Sequence, residues 1–137
     1  MAAFNKFTQF VLDLGAAKHA FAVDAVMALL TNTAPSPADT IVDTTTTPCT
    51  VKATSNALEV AAGNGYTKKG NTAAFTSWSG DSAKLVLVDP TAWTAGPSAM
   101  PTFRYVVLYN DSKGTTATRP VIGWYDYGVG GVTLQVG

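Results

Sequence analysis

Hydrophobic and polar positions are patterned most clearly in the last third of the chain. Phe103 to Tyr109 and Val121 to Tyr127 are rich in aromatic and β-branched residues, which fit a pleated, half-buried surface. In the first run Phe103, Tyr105, Val107 and Tyr109 share one face, and Arg104, Val106 and Leu108 the other. In the second, Ile122 and Trp124 oppose Val121, Gly123, Tyr125 and Tyr127. Asn110 to Gly114 and a Thr-rich stretch separate them and read as turn and loop. The pair predicts a long antiparallel hairpin on which the other strands assemble.

Phe4, Phe7, Val11 and Leu14 fall at helical spacing, so residues 3–14 are expected to form a short amphipathic helix stopped by Gly15. Its apolar face either closes one end of a β core or docks on a neighbouring subunit. Asp24 to Thr31 is a nearly continuous apolar run, with the length of a strand buried on both faces, although its pattern alone also fits a helix. A loop with Pro35 and Pro37 breaks it, and Ile41-Val42 begins a short strand. Asn56 and Glu59 have capping-box spacing, which predicts a short helix over about residues 57–62. Further strands are expected over 72–78, 83–89 and 132–136, and Trp93 lies in a short segment that also reads as β. The spacing of these runs suits a mainly β domain: an antiparallel β-sandwich or jelly-roll-like body over residues 21–137, preceded by a helical arm over residues 1–20.

Composition changes the picture in one respect. The 137 residues are 47% apolar but only 13% charged, against a usual share of about 25%, and the formal net charge is zero. A surface covered by Thr, Ser, Asn, Gly and Ala is poorly protected against association. It belongs either to a neutral monomer or to a protein that works docked on something. No basic run suggests nucleic acid, and no apolar stretch reaches the length of a membrane span. Cys49 is the only cysteine, which excludes an intrachain disulfide.

Chemistry is hard to find. No nucleophile elbow or phosphate-binding glycine loop is present, and His19, the only histidine, has no flanking carboxylate. Asp39 and Asp43 lie close enough to share a cation, but they lack the ligand density of a calcium loop. We therefore expect no enzyme activity, no cofactor and no metal. Trp78, Trp93, Trp124, Tyr125 and Tyr127 remain. They fill a core, form a subunit interface, or make an exposed platform of the kind that sugar-binding modules use.

Four segments carry a resemblance. They are Phe4-Asn-Lys-Phe7, Ala28-Leu-Leu-Thr-Asn-Thr-Ala-Pro35, Ala61-Ala-Gly-Asn-Gly-Tyr66 followed by Gly70, and the pair Phe103 to Asp111 with Ile122 to Gly128. Over most of its length the chain resembles a family of short virion structural proteins encoded near the head genes of tailed bacteriophages. That resemblance implies a capsid decoration (cement) protein on the virion head surface. Its partner would be the major capsid protein, and it would self-associate on the particle. It also implies a longer final strand than the one ending at Gly137. A tail, neck or fibre component, or a glycan-binding module, is the alternative. Phe4, Phe7, Val11, Leu14, Trp93, Trp124, Tyr125 and Tyr127 are the expected interface residues, and residues 1–14 and 36–50 the segments expected to reach a neighbour.

Overall fold

The hairpin that the sequence marks most strongly becomes the centre of the sheet. A computed structural model describes residues 2–73, 75–79, 84–87 and 93–136. In chain order its elements are β1 (Ala3–Lys6), α1 (Thr8–Gly15), β2 (Val26–Thr31), β3 (Ile41–Asp43), β4 (Thr50–Lys52), β5 (Ala57–Leu58), β6 (Asn71–Thr72), β7 (Phe75–Ser79), β8 (Lys84–Leu87), β9 (Tyr105–Asn110) and β10 (Arg119–Asp126). The protein is mainly β, with one short helix among the described residues. Eight antiparallel strands form a curled half-barrel, in the order β5-β4-β3-β10-β9-β2-β6 with β1 added to β10. β7 and β8 pair as a separate hairpin. These pairings do not confirm the two facing sheets of a sandwich or jelly roll. The side chains of the strand expected over 83–89, and that of Trp78, lie outside the described residues.

The central strands explain the curl. All six residues of β9 are buried, as are five of the six in β2, so both strands are covered on two faces. This is what a continuous apolar run predicts. β10 is long enough to hold two neighbours on one edge. Arg119 and Pro120 pair with β3, while Gly123 to Asp126 pair with β1. Between these stretches the register with β9 shifts at a bulge between Val121 and Gly123, and a bulge bends its strand. The segment after β5 then reaches β2. Glu59 bridges Thr31, and the Val60 amide donates to the Leu30 carbonyl at 2.9 Å. The core lies inside this curl, around Val26, Leu29, Leu30, Val42, Val51, Val107, Tyr109 and Val121. Each such side chain contributes about 1.5–3 kcal/mol on burial.

Four expectations are corrected. Residues 3–14 are not one helix, because residues 3–6 pair with β10 as a strand and the helix begins only at Thr8. Backbone partners on β10 override the local helical spacing there. Residues 57–62 are not a helix either. Asn56 has φ +48°, a left-handed conformation unsuited to an N-cap, and the chain continues as β5. The final strand over 132–136 reduces to a bridge, in which Val132 and Phe103 exchange hydrogen bonds and Leu134 accepts from the Met100 amide. Trp93 likewise lies outside any strand.

Gly123 shows how tightly β1 is seated. A Cβ there would stand 2.5 Å from both the Asn5 carbonyl oxygen and the Phe4 ring. Gly123→Val is expected to detach β1 from β10. Hydrogen exchange would read this as lost protection confined to residues 3–6, and unchanged protection would contradict the close approach.

Candidate functional site

α1 carries its amphipathicity inside out. Phe10 and Asp13 are the buried residues of the helix, so its only charged side chain points inward. Val11, Leu12 and Leu14 face solvent, 55%, 61% and 40% exposed. An ordinary surface helix buries its apolar stripe and exposes its charges. Single exposed hydrophobics are common on proteins, but three on one two-turn helix that hides its only carboxylate form a patch. Phe4 on β1 adds another exposed ring, tilted against Tyr125 at 5.0 Å.

The expected interface residues therefore separate. Val11, Leu14, Phe4 and Tyr127 are exposed. Phe7 is fully buried, with its ring 4.6 Å from that of Trp124, which is itself buried. These two hold α1 to the sheet and are core residues, not contact residues. Trp93 is partly buried between Tyr66 and Phe103, and its indole Nε1 has no hydrogen-bond partner. Tyr125 packs partly against the core. Trp124 and Tyr125 are adjacent on β10 and so point to opposite faces. Trp93, Trp124, Tyr125 and Tyr127 thus do not share one exposed platform. Leu12 lay outside the apolar spacing of the sequence, and only the rotation of the helix brings it to the surface. In the 36–50 segment residues 37–38 and 45–47 are exposed. The rest is tied in, for example through the Thr44 amide and hydroxyl, both donating to the Thr116 carbonyl.

Two polar clusters lie under this surface. In the first, Asn110 Nδ2 donates to Asp24 Oδ2 at 2.6 Å and lies 3.1 Å from His19 Nδ1. The Ser112 amide donates to Asn110 Oδ1, which fixes the orientation of the side-chain amide. His19 Nδ1 is then an acceptor, and the ring proton sits on Nε2, which is buried without a partner. The ring stacks on Phe21 at 5.0 Å. Burial lowers the His19 pKa, against the pull of Asp13 and Asp24. Burial raises the Asp24 pKa, but the Ala20 amide, the Asn110 amide and Lys113 outweigh it and leave the carboxyl lowered.

The second cluster surrounds Glu59, which the sequence assigned to a helix cap. Its buried carboxylate accepts from the Cys49 amide at 3.0 Å, the Tyr66 hydroxyl at 2.7 Å and the Lys69 amide at 2.6 Å. Tyr66 Oη in turn accepts from the Leu30 amide at 3.2 Å. Burial, with the Glu59 charge, pushes the Cys49 thiol up to about 12. The group is structural: it ties β2, β4, β5 and the 63–70 loop together.

Asp39 and Asp43 do not share a cation. Asp39 accepts from the amides of Ser36, Thr54 and Ser55 and from the Ser55 hydroxyl. Asp43 takes Lys52 at 2.7 Å and Thr45, and these hold its carboxyl down to about 2. Among the described residues no group of three or more His, Cys, Asp or Glu side chains could hold a metal ion. No described helix is long and apolar enough to cross a membrane.

These shifts fix a pH dependence. His19 is held neutral in the fold, so the unfolded chain takes up its proton first. Stability is complete above about pH 6.5 and falls as the pH drops below it toward the lowered folded value. Asp24 and Asp39 are lowered, so their contribution is complete above about pH 4 and is lost as the pH falls through their folded values. His19→Gln is expected to remove the first decline from a plot of melting temperature against pH and to leave the second. A decline below pH 6.5 that survives the substitution would assign it elsewhere.

No known protein family, curated protein or solved structure matches this chain.

Proposed function

We propose that this protein is a bacteriophage virion structural protein, a capsid decoration protein that docks on the major capsid protein through the outer face of α1 and the adjoining β1. The observation that supports this reading is the inverted helix, which offers Val11, Leu12 and Leu14 to a partner while burying Asp13. The low charge density agrees with repeated lateral contacts, and the sequence resemblance names the setting. In this reading the curled half-barrel is the jelly-roll-like body that the resemblance implies. Protein interfaces of standard size bury about 1,600 Å² in total, and repetition over a shell multiplies a modest contact.

Deletion of residues 1–14 would be a poor test, because it also removes Phe7 and Phe10 from the core. The double substitution Val11→Asp with Leu12→Asp changes only exposed positions. It is expected to leave the melting temperature within a few degrees of wild type and to abolish co-sedimentation with purified heads of the encoding phage. Counting copies on separated heads and tails completes the test. Hundreds on heads agree with decoration, whereas a handful on tails would move the protein to a tail, neck or fibre role. Full head occupancy by the double variant would remove α1 from the interface.

A further inference from the structure

The inward stripe of α1 has a chemistry of its own. Gln9 and Asp13, one turn apart on α1, form one wall of a cavity of about 560 Å³ with Ala17 just beyond the helix, and β3, the β9–β10 turn and the start of β10 form the rest. Its size falls within the ~300–1,000 Å³ range of small-molecule sites. Asp13 is only 2% exposed. Its Oδ1 accepts from Gln9 Nε2 at 2.7 Å and lies 2.9 Å from Lys18 Nζ. Its Oδ2 takes no hydrogen bond from any described residue and is not sealed from solvent, so a ligand in the cavity can donate to it. Lys113 also lines the cavity, with Nζ 3.4 Å from Asp24 Oδ1, a long ion pair that leaves ammonium protons to donate. Ile41 and Pro120 add an apolar wall.

From this arrangement we infer a binding site for a neutral polyhydroxylated ring of monosaccharide size. The two ion pairs, Lys18 with Asp13 and Lys113 with Asp24, cancel. A charged ligand would leave one member of a pair uncompensated, whereas a neutral one disturbs neither. A hydroxyl both donates and accepts, so neighbouring hydroxyls satisfy Asp13 Oδ2 and Lys113 Nζ together. The C–H face of the ring rests on Ile41 and Pro120. The site is independent of the docking reading, because none of Val11, Leu12 and Leu14 lines the cavity. It also gives Asp13 a reason to face inward.

The test is a titration of the isotope-labelled full chain with the methyl glycosides of glucose, galactose, mannose and N-acetylglucosamine, followed by amide chemical shifts. At least one is expected to bind, with shifts grouped at Gln9, Ala17, Ile41 and Gly114. Lys113→Met is expected to weaken that binding about tenfold or more, the worth of one hydrogen bond to a charged group. Asp13→Asn should do the same where it folds, and Lys113→Met carries the test where it does not. Sodium acetate and ethylammonium chloride serve as charged probes. Silence with all four glycosides overturns the inference, as does equal or better binding of either charged probe, or affinity unchanged in Lys113→Met.

Discussion

Gly70→Ala is expected to cost about 4 kcal/mol or more, in the range that only a few mechanisms reach. Gly70 has φ +80°, and a Cβ there would stand 1.7 Å from the Ala28 carbonyl oxygen and 2.5 Å from its carbon. Left-handed strain alone is worth about 1–2 kcal/mol. The larger cost is the collision, because both atoms belong to the backbone of β2 and no rotamer change relieves it. β2 must shift, and it carries Leu29 and Leu30 into the core. The preceding residue is also fixed. Lys69 has φ +73°, its amide donates to Glu59, and its carbonyl accepts from the Tyr109 hydroxyl at 2.9 Å. Gly63→Ala is the control, since Gly63 also has a positive φ but nothing within 4 Å of the added carbon. Urea denaturation should show a small loss for the control and a large one for Gly70→Ala. Similar losses for both would mean that β2 yields more easily than close packing allows.

The second large effect is expected at Glu59. Glu59→Ala leaves the Cys49 amide, the Tyr66 hydroxyl and the Lys69 amide without their acceptor. Each of the two buried donors so orphaned costs about 1–3 kcal/mol and the part-buried Lys69 amide less, and the three share one site, so their costs overlap. We expect a total of about 3–5 kcal/mol, and about half of that for Tyr66→Phe. Burial raises the Tyr66 pKa, so the hydroxyl keeps its proton and remains a donor at ordinary pH. Cys49 supplies a local reporter. Its thiol is buried and held up to about 12, so it should react very slowly with a thiol reagent in the native protein. Glu59→Ala should accelerate that reaction well before global unfolding. An unchanged rate together with unchanged stability would show that the network is dispensable.

Both effects arise at residues whose roles the sequence conceals. The strands at 26–31, 105–110 and 119–126 were legible because β-branched and aromatic residues recur there at the period of a strand. The glycines from Gly63 to Gly70 mark a turn, but nothing in the stretch marks it as a pin, because its partners lie on β2 and beside β5. Glu59 matched a capping box by spacing, and only the left-handed turn at Asn56 redirects it into the interior. The N-terminal segment misled for a related reason. Phe4, Phe7, Val11 and Leu14 do fall at helical spacing, yet Phe4 is claimed by β10 and the helix turns Phe10 inward in place of Val11. Apolar spacing locates an amphipathic segment, but the available neighbours decide which face they cover. The cavity beside Asp13 escaped notice because its walls come from parts of the chain about a hundred residues apart.

The pairing of β1 with β10 also bears on how the chain is made. Ala3 pairs with Asp126, more than a hundred residues downstream. At ribosomal rates of about 5–20 residues per second, β1 emerges roughly 6–25 s before its partner exists. Throughout that interval Phe4 and Phe7 lack Tyr125 and Trp124, the β10 rings they pack against. β1 is therefore placed only after β10 has been made. A nascent chain stalled before residue 119 leaves the aromatic side chains of β1 and its neighbour Phe7 uncovered and suited to chaperone capture, and completing β10 is the event that withdraws them.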